Sequence, residues 1–150
     1  MKKRIFVGIC AALLLTSCAQ EYNKVYKTTN NAYKYEFAKE CFAKGKYGFA
    51  VPLLQDLVMV EKGTDNAQEC LYMLAMAEYG LKDYQAASET FKKYYQTYPR
   101  GQYAEMASFY IGQSLFEGTP EPRLDQTPTI AAIAAFQEYL DIYPNGKMKG

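Results

Sequence analysis

Few side chains in this 150-residue sequence could carry out chemistry. There is no histidine, so the commonest general base and metal ligand is missing. No Gly-x-Ser-x-Gly elbow, phosphate-binding loop, Cys–His pair or metal-ligand cluster occurs. The charges of "EPRLD" fit a solvated loop, and Glu89 with Lys93 is an ordinary i,i+4 surface pair. The sequence therefore predicts a protein that is not an enzyme and needs no metal or dissociable cofactor. One reactive group stands out by its position. Cys18 ends the stretch "LLLTSC", where a hydrophobic run stops and polar composition begins.

The residues before Cys18 explain that placement. Lys2, Lys3 and Arg4 form a charged start, and Ile5 to Leu15 form an apolar run of eleven residues. A bilayer-spanning helix needs about 20 apolar residues, so this run is a processing signal rather than a permanent span. "LTSC" resembles the bacterial lipobox, with Leu15 three positions before the cleavage site and small Thr16 and Ser17 before the cysteine. The resemblance implies diacylglyceryl transfer to the Cys18 thiol, cleavage after Ser17, and acylation of the new amino terminus. One acyl chain holds a protein marginally, whereas several hold it firmly. Ala19, rather than an acidic residue, follows Cys18, which in this class argues against retention in the inner membrane. Residues 1–17 are thus expected to be a signal peptide, and the polar residues 18–30 a tether.

The remaining composition suits one domain. Hydrophobic residues make up 49% and charged residues 22% of the chain, enough to bury a core. The net charge of +1 gives no basic excess that would point to nucleic acid.

The elements behind Cys18 repeat. Tyr47→Tyr84, Ala50→Ala87 and Leu54→Phe91 are each 37 residues apart, and Phe91→Phe136 and Pro99→Pro144 are each 45 apart. "YPRG" echoes "YPNG". An aromatic, a small residue three on and a large one four further resembles the second helix of a tetratricopeptide repeat. First helices are expected at 31–43, 68–80 and 105–117, with small residues Ala38, Ala75 and Gly112 allowing close helix approach. The extra eight residues of the third repeat fall in "EGTPEPRLDQTPT", whose prolines and glycine make it a loop. The expected fold is all-α. It is a right-handed, tetratricopeptide-like solenoid of helical hairpins, with repeats at 31–67, 68–104 and 105–150. Because "YPNGKMKG" ends where another first helix would begin, further repeats are expected in the native protein.

In such a solenoid the first helices line a concave groove. Tyr35, Tyr72 and Phe109 form one aromatic column and Phe42, Tyr79 and Phe116 a second. Lys39, Met76 and Gln113 lie between them. Aromatic rings bury much area and lose few rotamers, which suits an extended peptide with aromatic or aliphatic side chains. The same spacing also suits rings packed between repeats, and the pattern leaves both readings open. If the rings form the groove, Tyr72→Ala with Tyr79→Ala should weaken peptide binding without unfolding the domain. Cys41 and Cys70 read as small buried hydrophobes, with a disulfide between them as the alternative that an oxidising periplasm would permit.

The lipobox, the tether and the Tyr-rich repeats together resemble the BamD family, lipoproteins of the outer-membrane β-barrel assembly machinery. "LDQTPTIAAIAAFQEYLDIYPNG" is similar to the family's "DQT…A…FQ…YP" segment, and "AKECFAKGKYGFAVPLLQDL" and "ASFYIGQSLF" to its other repeats. Leu54, where a Phe is usual, and Pro52 depart mildly from the pattern. The resemblance covers 18–150, about the N-terminal half of such a protein. It implies a covalent lipid on Cys18 and a place on the periplasmic face of the outer membrane. The implied partners are unfolded outer-membrane proteins and the barrel subunit of the machinery. A generic cell-envelope scaffold for glycan uptake or murein synthesis is the alternative. The lack of Trp counts against glycan platforms, and the lack of heptads in 19–30 against the murein class.

Overall fold

The computed structural model describes residues 21–64, 66–121 and 125–148. The expected signal peptide and Cys18 lie outside them. Every regular element among the described residues is a helix. A short helix, α1, covers 21–26. It is followed by α2 (Asn31–Ala43), α3 (Tyr47–Val60), α4 (Ala67–Gly80), α5 (Tyr84–Thr97), α6 (Ala104–Glu117) and α7 (Thr127–Ile142). Each of α2 to α7 packs chiefly on its chain neighbours, giving three successive helical hairpins stacked side by side, a tetratricopeptide-like solenoid. The first helices α2, α4 and α6 start within one residue of the expected positions.

Local signals account for the helix ends. The Asn30 and Asp83 side chains cap α2 and α5 by accepting from the backbone N–H groups of Tyr33 and Ala86. At the first hairpin turn, Gly45 N–H bonds to Phe42 and Lys46 N–H to Cys41. The same pair recurs 37 residues on, from Lys82 to Tyr79 and from Asp83 to Glu78. This is a Schellman closure, and it needs a left-handed residue at its apex. Gly45 supplies it freely at φ 68°, but Lys82 takes φ 63° with a Cβ in place. Lys82→Gly should therefore stabilise the protein by about 1 kcal/mol, read as a rise in the thermal midpoint.

Pro52 lies inside α3 without breaking it. Its ring faces Gly48 one turn earlier, which is exposed, so the carbonyl that loses its donor can turn to water. The loop of the third repeat is shorter than expected. Pro128 belongs to the first turn of α7, where its missing N–H costs nothing.

Two clusters build the core. Leu53, Leu54 and Leu57 of α3 meet Ala38 and Cys41 of α2 and Cys70 and Leu74 of α4. Further along, Leu71 and Tyr72 of α4 meet Ala87, Phe91 and Tyr94 of α5 and Ala107 of α6. Cys41 and Cys70 are both buried thiols, and burial pushes the Cys70 thiol up to about 12. The small-residue column works as a contact column. A Cβ added at Gly112 would lie 2.8 Å from the Phe136 ring. Lys34, buried on α2, is satisfied by an ion pair with Asp56 of α3.

The polar stretch expected as a tether is partly structured. Residues 21–26 are helical, and Val25 is 0% exposed in the first core cluster. Tyr22 stacks near Tyr26 and packs on Phe49 of α3, with centroids 5.8 and 4.9 Å away. One apolar residue among polar ones is enough to dock a short helix where it covers apolar surface of the first hairpin.

Candidate functional site: the first-helix face

The two aromatic columns differ in placement. Tyr35 and Tyr72 are 6% and 8% exposed. The Tyr35 hydroxyl donates to Glu69 Oε2 at 2.5 Å, and the Tyr72 hydroxyl reaches Met106 Sδ at 3.7 Å. Both contacts span 34 residues, one helical turn short of the 37-residue repeat. Side chains on a helix lean toward its N-terminus, so each ring meets the neighbouring first helix one turn back. Phe109 is half-buried against Phe136 and Tyr139 of its own hairpin, at 5.8 and 5.6 Å. Tyr35 and Tyr72 thus join successive repeats, whereas Phe109 packs within its own hairpin.

The second column is more open. Phe42 is half-buried against Tyr47, and Tyr79 against Tyr84 and Tyr110. Phe116 is 56% exposed. Between the columns, Lys39 pairs with Glu69 at 3.6 Å and lies 5.0 Å from the centre of the Tyr35 ring. Met76 is half-buried. Gln113 hydrogen-bonds the Tyr79 hydroxyl, again 34 residues away, and donates to Glu117 at 3.0 Å. Met106, which pattern reading missed, is 37% exposed and occupies the register position of Glu69. The accessible surface of the second and third repeats thus combines Met76, Tyr79, Met106, Gln113 and Phe116. It is mainly apolar and aromatic, with hydrogen-bonding capacity at Gln113 and with Glu117 and the Lys39–Glu69 pair at its margins.

Two further features escaped sequence reading. Tyr94 and Tyr139, 45 residues apart, play one role in two repeats. Each hydroxyl accepts from the backbone N–H nine residues on, Tyr103 at 3.2 Å and Met148 at 3.3 Å. Each also donates to a side chain early in the preceding first helix, Gln68 or Glu105, at 3.2 Å. These latches fold the "YPRG" and "YPNG" turns back onto the solenoid. The Phe91→Phe136 spacing could have revealed them. The second feature is a groove of about 600 Å³ on the second-helix side, between Lys92 and Tyr95 of α5, Leu115 of α6 and Ala131, Ala134 and Ala135 of α7. Ala134 and Ala135 stand where α5 carries Glu89 and Thr90, and this loss of bulk opens the gap.

Glu78 on α4 is buried with one carboxylate oxygen lacking a partner, although Thr90 hydrogen-bonds the side chain. Burial raises its pKa, and Asp83 and Glu89 push the same way. The folded protein then holds a proton that the unfolded chain has already released. Stability falls as pH climbs from the ordinary carboxylate value toward the raised one. Leu115 occupies the same register in α6. Glu78→Leu should flatten that pH dependence and stabilise the protein at neutral pH by about 1–3 kcal/mol, seen in denaturation midpoints across pH.

No helix among the described residues is long and apolar enough to cross a membrane. A comparison with curated proteins finds no match. The model of the YfiO family, described as outer membrane lipoprotein, matches residues 27–149, which takes in all three hairpins. With that match over most of its length, the chain belongs to the YfiO family of outer membrane lipoproteins.

Proposed function

We propose that the protein is a lipid-anchored scaffold of the machinery that assembles outer-membrane β-barrels, held on the periplasmic face of the membrane by acyl chains on Cys18. It acts by binding, without chemistry of its own. Unfolded outer-membrane proteins, whose final strands end in aromatic residues, engage the first-helix face, and the barrel subunit of the machinery is the neighbouring partner. The observation that supports this best is the exposed pair Met106 and Phe116 beside half-buried Met76 and Tyr79. These residues form an apolar, aromatic surface on a member of an outer membrane lipoprotein family whose "LTSC" resembles a lipobox. The test is a pull-down of the full chain from solubilised envelopes, with mass spectrometry of the N-terminal peptide from the same sample. Lipid mass on Cys18 with a co-purifying barrel subunit supports the proposal. Lipid mass with glycan-uptake or murein enzymes alone replaces it with the generic envelope scaffold.

A further inference from the structure

A flexible tether would let the solenoid drift away from its anchor, but α1 is packed into the domain. Cys18 precedes Glu21 by three residues, a separation of at most about 11 Å. Val25 is fully buried in the first core cluster, and Tyr22 lies on Phe49, so α1 moves with the first hairpin. Lipid chains on Cys18 therefore carry this end of the solenoid to within about one helix diameter of the headgroups. The helix also has a defined outer side. At 100° per residue, Tyr22 and Glu21 flank Val25, and Glu21 borders the hollows beside Phe37 and Glu40 of α2. Asn23, Lys24 and Lys27 point the other way and are exposed, and Tyr26, 51% exposed, sits at the edge of that face with its ring stacked on Tyr22. Tyrosine with lysine and no carboxylate is the chemistry of a membrane interface. The ring sits at headgroup depth, and the ammonium groups meet anionic phosphates.

We infer that the outer face of α1, with Lys24, Tyr26 and Lys27, seats on the anionic phospholipid surface beside Cys18. This seating makes the anchor hold the solenoid in a fixed orientation rather than on a leash. The inference rests on the lipid at Cys18 proposed above. The bilayer side is α1 and the first hairpin, and the third repeat stands away from it.

The chain has no tryptophan, so Tyr26→Trp creates a single reporter. The lipid-bearing full chain is placed in phosphatidylethanolamine–phosphatidylglycerol vesicles doped with headgroup-region nitroxide lipid. Trp at position 26 should shift to the blue and be quenched, more strongly than in phosphatidylcholine vesicles. Ile133→Trp, exposed on α7, should be neither shifted nor quenched. Adding Lys24→Glu and Lys27→Glu should reduce the quenching while the protein stays vesicle-bound. A vesicle-bound protein whose Trp at position 26 is no more quenched than at position 133 overturns the seating and leaves the anchor intact. Absence of lipid mass on the N-terminal peptide, with no vesicle binding, overturns the anchor and the seating together.

Discussion

Tyr72→Ala should cost about 3–5 kcal/mol of folding stability, a large share of what a domain of this size has, and should not act as a clean binding mutation. The ring stacks on Tyr103 at 4.2 Å and 7° and meets Phe91 and Tyr94 edge-on at 6.2 and 6.0 Å. It sits among the buried residues where α4, α5 and α6 converge. Removing it opens a cavity that three helices cannot close without losing register. Urea denaturation followed by circular dichroism measures the loss. Tyr72→Phe is the internal control and should cost under about 1 kcal/mol, because its hydroxyl reaches nothing better than a thioether sulfur at 3.7 Å. A Tyr72→Ala protein with the parent's midpoint would show that the ring belongs to the surface after all.

Residue spacing alone located the helices but could not decide which face of each ring is wet. The 37-residue interval put Ala38, Ala75 and Gly112 in one contact column, and the structure keeps them there, with the Phe136 ring against Gly112. The same interval made Tyr35 and Tyr72 equivalent to Phe109, which they are in register but not in exposure. Their burial depends on the next first helix lying alongside, a packing distance that no single-helix pattern encodes. Phe116, in register with Phe42 and Tyr79, stays exposed because α6 is followed by an irregular loop rather than a tight turn with an aromatic near its start. Docking of α1 was illegible for a related reason. Val25 is one apolar residue in a polar stretch, and its burial depends on the open edge of the first hairpin, which is a property of the stack. The tyrosine latches were legible in principle from the 45-residue interval, but hydroxyl partners on backbone N–H groups leave no trace in residue types.

Phe116→Ala combined with Met106→Ala should leave the solenoid folded and weaken binding of an unfolded outer-membrane-protein segment with an aromatic C-terminus by about 10- to 100-fold. Phe116 is 56% exposed and Met106 37%, so trimming Phe116 loses little burial, while trimming Met106 gives up part of its packing and its contact with the Tyr72 hydroxyl, a loss of about 1 kcal/mol. An interface over this face would bury them centrally, beside Met76 and Tyr79, where aromatic anchors dominate the energy. Titration of a labelled peptide onto the parent and the double variant measures the change, and a cooperative thermal transition well above the titration temperature shows that the solenoid is intact. The second-helix groove offers the necessary comparison, because it too is apolar and about 600 Å³ in volume. Ala135→Leu narrows that groove without touching the first-helix face. If the double variant loses binding and Ala135→Leu keeps it, the first-helix face receives the peptide. If the losses are reversed, the alanines of α7 rather than the aromatic columns form the receiving surface, and the first-helix aromatics serve mainly to pack the helices together.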